Sequence, residues 1–326
     1  MNRNNERGQS MVITVVFMVV LLGFAALVID VGSWYRAHRA AQSTADAAAL
    51  AGAQVLPDTA GASALATQYV NKNSTSGGPG TGGTTPQITI TQQGYEPDTI
   101  TVKVTRPAPG FFAKVFGSAF GSVNVSRTAT ARAYNVYSVK NGIAPITVNY
   151  KHPLLNCTRG QNPTCNPTYG TPTQLQLEDI HTSGGKDAAG AFGLINLNGV
   201  ESGNVGAGTL ADWLDNGYQD HELTTGHYDS VPGATFNNST FTASLDRHIG
   251  DELLFPVYRL LKGPGSNAMY DIIGWVGFVI DSYDASGSTG VINGHFTRYT
   301  TDGVPVENGG GGGAQGLGVH RIELTN

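Results

Sequence analysis

Charge is scarce in this chain. Asp, Glu, Lys and Arg make up 13% of its 326 residues, about half the ~25% usual for soluble domains. The 19 basic and 24 acidic residues leave a net charge of -5, too mild to imply nucleic acid or an acidic partner. Catalytic frames are missing as well. No GxSxG elbow surrounds any serine, and the eight histidines include no HExxH pair, His221 and His227 being the nearest two. The glycine run Asn308–Gly316 has no GKS/T or GxGxxG frame, so it reads as a flexible loop and not a phosphate cradle. Nothing repeats at a fixed period.

Only two cysteines occur, Cys157 and Cys165, bracketing the loop-like stretch CTRGQNPTC. Outside the cytoplasm they read as a disulfide, and two free thiols are the alternative. Zinc with His152 or His181 lacks any CxxC or HxxxH spacing to support it. Asp212, Asp215, Asp220 and Glu222 put four acids within eleven residues. Calcium favours such oxygen clusters, but the spacing is not an EF-hand loop and a solvated helix end explains it equally. Asn-x-Ser/Thr triplets at Asn73, Asn124, Asn156, Asn237 and Asn238 are what chance yields in a chain rich in Asn and Thr. The residues therefore assign no catalytic group, metal or cofactor.

What is present is glycine, 44 of 326 residues, close to twice its usual share of ~7%. Apolar residues at 40% still allow sizeable cores and exclude a wholly disordered chain. Few charges with much Gly, Thr and Asn fit an extracytoplasmic, β-rich protein.

One long apolar run stands out. Met11–Ile29 is nineteen residues without a charge; as a helix it would span roughly 28 Å, close to the ~30 Å hydrocarbon core of a bilayer. A secretory signal would be shorter and soon followed by a small-residue cleavage site, whereas Asp30 follows here. An uncleaved anchor is the better reading. Arg3 and Arg7 precede the run and Arg36 and Arg39 follow it, so charge alone does not orient it. The short N-terminal tail and the cysteine loop favour a cytoplasmic N-terminus and external C-terminal domains.

Beyond the run, YRAHRAAQSTADAAALAGA is rich in alanine, the strongest helix former, and Pro57 ends the helix. Ala37, Ala41, Ala45, Ala48 and Gly52 recur at spacings of three or four and make one face of small residues. Such a face lets another helix approach closely. It either meets a partner helix just outside the bilayer, which is the expectation adopted, or packs on this chain's own globular part. Gln42 and Asp46 lie beside it, one turn apart.

These residues carry a resemblance. Arg7-Gly8-Gln9-Ser10, the apolar run ending in Asp30-Val31-Gly32, then Gln42 and Ala45-Asp46 opening ADAAALAGA, are similar to the N-terminal segment of TadE/TadG-like proteins. The likeness covers about residues 6–56, with Gly8, Asp30, Gly32 and Asp46 as motif positions. GAFGLINLNG, LADWLDNGY and NAMYDIIGWVGFVI resemble downstream regions of TadG-related proteins more weakly. The resemblance implies a non-enzymatic, single-pass envelope component of a Flp (Tad) type IVb pilus machine, with pilins or other assembly proteins as partners and no small-molecule ligand. Prepilin peptidases cut after a glycine, and prepilins commonly carry glutamate five residues later. Ile13 holds that place after Gly8, which favours a resident membrane protein over a polymerising pilin.

The expected fold class is α+β. Residues 1–10 form a cytoplasmic tail, 11–29 a transmembrane helix and 30–56 its extension. Residues 57–134 form a small α+β pilin-like module containing a Gly/Ser/Thr linker at 71–86, and 135–326 a β-rich extracytoplasmic domain. Period-two alternation predicts strands at 88–91, 100–105 and 122–134, with a short helix at 111–116. In the larger domain strands are predicted at 146–150, 174–177, 192–197, 253–258, 272–280, 291–299 and 319–324. A helix is predicted at 210–214, with Gly217 near its end.

Overall fold

The computed structural model describes residues 6–75, 86–94, 96–117, 121–136, 138–161, 163–177, 191–200, 203–263, 268–286, 290–304 and 316–325. The chain divides into two units. One comprises Met1–Thr91, Thr99–Arg132 and Leu324–Asn326; the other comprises Gln92–Asp98 and Ala133–Glu323.

The first unit is built on α1, Glu6–Ala53, 48 residues long and so about 72 Å. It is the one helix among the described residues long and apolar enough to cross a membrane. Continuity through the apolar run and the alanine-rich stretch follows from the absence of proline before Pro57. Within the run, the Thr14 hydroxyl donates to the Ser10 carbonyl at 2.9 Å, which satisfies a polar group where the sequence offers no other. A second helix, α2 (Thr59–Thr75), was not expected. Asp58 caps it by accepting from the Gly61 amide at 3.0 Å. Its last turn takes up Asn71–Thr75, the start of the predicted linker; residues 76–85 lie outside the described residues.

Three strands complete this unit: β1 (Gln87–Gln92), β2 (Pro97–Pro109) and β3 (Ser122–Asn135). They pair in that order, and β2 and β3 form a long antiparallel hairpin from Thr99↔Arg132 to Pro109↔Ser122. Alternation along β2 buries Ile100, Val102, Val104 and Ala108 on one face. Arg106 lies on that face too, and its Nη2 donates to Thr44 Oγ1 (3.0 Å) and the Asn73 carbonyl (2.8 Å). One guanidinium thus ties the strand to both helices.

The second unit runs β4 (Ser138–Val139), β5 (Ile146–Asn149), β6 (Pro172–Leu177), β7 (Ala191–Ile195), α3 (Ala207–Asn216), β8 (Leu223–Thr224), β9 (Gly226–Val231), α4 (Ser239–Arg247), β10 (Glu252–Lys262), β11 (Met269–Asp284), β12 (Val291–Thr297), β13 (Tyr299–Thr300) and β14 (Val319–Thr325). Its main sheet is ordered β10-β5-β7-β6-β12-β11, and β11 pairs back onto β10, closing six strands into a ring. Strand β9 bridges β7 and β11. The closing pair is a long hairpin in register Leu253↔Phe278 and Phe255↔Val276. Both strands are apolar over consecutive residues because both faces are covered.

The ring is filled by aromatic side chains. Phe255 stacks on Phe278 with centroids 4.9 Å apart, and Phe278 meets Phe296 edge-on at 5.1 Å. Tyr270 packs against Tyr258 at 4.8 Å and reaches over β7 at Gly193, where a Cβ would stand 1.8 Å from its hydroxyl oxygen. Only glycine fits there. The fold class is α+β, as the sequence implied; the closure of the sheet is what local patterns did not reveal.

Candidate functional site

The chemistry-bearing feature of the first unit is a junction between α1 and the tip of the β2–β3 hairpin. Asp30 ends the apolar run, and its carboxylate accepts hydrogen bonds from three successive backbone amides: Phe111 (2.7 Å to Oδ1), Phe112 (3.2 Å to Oδ1 and 3.1 Å to Oδ2) and Ala113 (2.6 Å to Oδ2). These amides open a 3₁₀ turn, Ala113–Phe116, which has no side-chain cap of its own. Asp30 supplies that cap from a different element. Three residues on, one turn along the same helix face, the Ser33 hydroxyl donates to the Pro109 carbonyl at 3.1 Å. The loop is pinched at its base by the Gly110 amide donating to the Gly121 carbonyl at 3.1 Å.

Asp30 is 3% exposed. A buried carboxylate costs several kcal/mol unless it is hydrogen-bonded, and amides donating to a charged acceptor form the stronger class of hydrogen bond. The arrangement binds a backbone; it does not present a reactive group. Beside it a cavity of about 590 Å³ is lined by Val20, Gly23, Phe24 and Leu27 of α1 and by Phe112 and Val115 of the turn.

The other motif and helix-face positions fall as follows. Gly8 lies within α1. Gly32 is exposed, with open space where a Cβ would project. Asp46 accepts from Gln42 Nε2 at 2.7 Å. Ala41, Ala45 and Ala48 are fully buried and Ala37 is half-buried. At Gly52 an added Cβ would stand 2.5 Å from Ile100 Cδ1 of β2, 3.1 Å from the Ala62 carbonyl oxygen and 3.3 Å from Ala66 Cβ of α2. The small-residue face is therefore occupied within the chain, by α2 and β2.

In the second unit Cys157 and Cys165 are joined in a disulfide, and the loop they close is held by the Thr158 amide donating to the Thr164 carbonyl at 2.9 Å. The acidic cluster does not converge. Asp215 is engaged by Arg247, by Ser244 Oγ at 2.6 Å and by His248 Nε2 at 3.3 Å. The Arg247 guanidinium, with help from Ser244, holds its carboxyl below the usual range against the opposing effect of burial. Asp212 accepts from Asn216 at 2.7 Å, and Glu222 from Ser138 at 2.5 Å. No group of three or more His, Cys, Asp or Glu able to hold a metal occurs among the described residues. His221 contacts Tyr218, and His227 stands opposite Asp271 in the β9–β11 pairing. His181 and residues 308–315 of the glycine run lie outside the described residues.

The junction thus sits on the helix whose motif positions carry the family resemblance. Residues 8–55 match the family model Tad, "Putative Flp pilus-assembly TadE/G-like". The match takes in Asp30, Ser33 and the buried alanine face, and stops before Pro57. The rest of the chain, including the hairpin tip that Asp30 holds and the whole β-ring, lies beyond it. Neither a curated protein nor a solved structure matches the chain.

Two features escaped the sequence reading. The partner of Asp30 is 81 to 83 positions away, with no local signal. The cap of α2 did have one, Pro57-Asp58-Thr59, a proline followed by a capping residue.

Proposed function

We propose that this chain is a membrane-anchored, non-enzymatic component of a Tad/Flp pilus-assembly machine. It is held by Met11–Ile29 with its N-terminus in the cytoplasm and the chain that follows the span outside. The observation that carries this is the Tad match over residues 8–55, which covers a helix with the length and apolarity of a membrane span. The Asp30 junction supports it, because a carboxylate given over to three amides fixes the hairpin tip on the anchoring helix.

Contacts with pilins or other assembly subunits fall to exposed surfaces beyond the span and to exposed positions of α1 such as Gly32, since the Ala41–Gly52 face is filled. Deleting the gene should abolish pili, while the full-length protein in wild-type cells stays with the membrane after carbonate extraction. Normal piliation with lost attachment would instead support a tethered surface adhesin.

A further inference from the structure

We propose that the 3₁₀ turn at the tip of the β2–β3 hairpin is a second membrane contact, with Phe111, Phe112 and Val115 seated among lipid acyl chains at the extracytoplasmic end of the span. The proposal rests on the membrane-anchoring reading above and adds to it a site outside the segment that carries the family match.

Three apolar side chains are exposed side by side at this tip, Phe111 at 49%, Phe112 at 43% and Val115 at 83%. In water such a cluster is unfavourable by about 25 cal/mol for each Å² left wet. The cluster is not remote from the span. Phe112 and Val115 share the 590 Å³ groove with Val20, Gly23, Phe24 and Leu27. Val20 lies ten residues, roughly 15 Å, from Asp30 along the helix axis. The turn therefore lies beside the C-terminal half of the apolar run, at a depth where a bilayer around that run would meet it.

The backbone of the turn suits that depth. Non-helical backbone at membrane depth is tolerated only where protein shields it, and here the leading amides of the turn face α1. Asp30 takes the amides of Phe111, Phe112 and Ala113, and those of Val115 and Gly117 donate to the Phe112 and Lys114 carbonyls at 3.0 and 3.1 Å. Lys114 is the single charge between Gly110 and Gly117. Its stem folds back over Gly121, whose Cβ position would be 3.0 Å from Lys114 Cε, the course a lysine takes when its ammonium snorkels toward water. Trp34 and Tyr35 follow Asp30 by one turn on α1, and Tyr35 is 63% exposed, as in the aromatic belts at membrane interfaces.

Lipid is the occupant these observations favour over a protein helix. The large side chains of the run are 46–71% exposed on every face. The groove is continuous with that surface, and around a lone span most of the perimeter is acyl chain.

The test uses the full-length protein reconstituted in phosphatidylcholine–phosphatidylglycerol vesicles, carrying an environment-sensitive NBD label at one introduced cysteine. Val115→Cys is the test position and Phe17→Cys reports the span. Thr128→Cys, six residues up β3 from the hairpin end and so about 20 Å away, reports the aqueous side. Val115→Cys should show blue-shifted emission near that of Phe17→Cys and be quenched by doxyl-labelled lipid, while Thr128→Cys is quenched by iodide instead. Iodide quenching at Val115 with lipid quenching at Phe17 overturns the turn's insertion and leaves the anchor standing. Protection of Val115 from both quenchers overturns it in favour of a protein covering the groove. Failure of lipid to quench Phe17 refutes the anchoring reading itself, and the turn's insertion with it.

Discussion

Asp30 and Phe112 lie 82 positions apart, and the one amide of Phe112 donates to both carboxylate oxygens of Asp30, at 3.2 and 3.1 Å. A link of that kind fixes both the position and the orientation of the turn, since moving either partner weakens two contacts at once. Asp30→Ala should therefore release the hairpin tip without unfolding the unit. Leaving these part-buried donors unpaired costs about 2 kcal/mol, or roughly 30-fold in local opening. Hydrogen exchange of the Phe111–Ala113 amides should quicken by that factor, whereas Ser33→Ala, which loses one neutral bond, should have less effect. Unchanged protection in Asp30→Ala would show that the carboxylate does not hold the turn.

A second expectation separates packing within the chain from packing against a partner. Ala45 is fully enclosed, so Ala45→Leu should overfill the first unit and destabilise the isolated protein by about 1–3 kcal/mol. Gly32 meets nothing, and Gly32→Ala should be stabilising by about 0.5–1 kcal/mol through helix propensity alone. Denaturation of the purified protein decides both. A stable Ala45→Leu variant would mean that the face is open after all.

Acid should weaken the second unit through His152. Its Nδ1 accepts from the Leu154 amide at 3.1 Å and its Nε2 faces Thr173 Oγ1 at 3.0 Å, so the ring works as a neutral cap. Burial pushes its pKa down to about 4. The pKa is thus lower in the folded chain than the ~6.5 of an unfolded one, and the unfolded chain binds more protons between the two values. Stability is full above pH 6.5 and falls as the pH drops toward 4, by about 3 kcal/mol in total. His320, also buried and at about 4, adds a fall in the same window. His152→Asn keeps an acceptor for Leu154 and should flatten part of the slope of melting temperature against pH.

The Cys157–Cys165 bridge should be intact in freshly isolated protein, with a non-reduced peptide two protons lighter than the reduced one. Closing so short a loop is worth on the order of 2–3 kcal/mol, so Cys157→Ser with Cys165→Ser should lower the melting temperature of the second unit. Alkylatable thiols at both positions would contradict the pairing.

The N-terminus should remain uncut at Gly8, because Ile13 stands where prepilins carry glutamate. N-terminal sequencing of the membrane fraction should recover residues before Gln9. Bulk material beginning at Gln9 in sheared pili would make the chain a structural pilin.

The legible parts of this fold were those governed by local spacing. Nineteen uncharged residues gave a helix, and alternation in Ile88–Thr91, Ile100–Thr105 and Ser122–Tyr134 gave three strands, because period and length decide those outcomes. Helix α2 was missed because its buried side is Ala62, Ala66 and Val70, too small to register as an apolar stripe. Asn238 was read as a sequon, yet it caps α4 by accepting from the Thr240 amide at 2.9 Å. The Asp30 motif position was visible, but its partner was not. Pairings such as His295↔Pro172 likewise join distant segments that carry no mutual signal.

The ring of strands bears on how such a unit can join an assembly. Because β10 pairs with β11, the main sheet has no terminal strand among the described residues, and a segment donated by a neighbour would have to displace one already paired. Polymerisation by strand exchange is therefore closed to this ring. A larger structure can meet this ring through its side chains and loops, as a surface that is engaged and released while the strands stay paired.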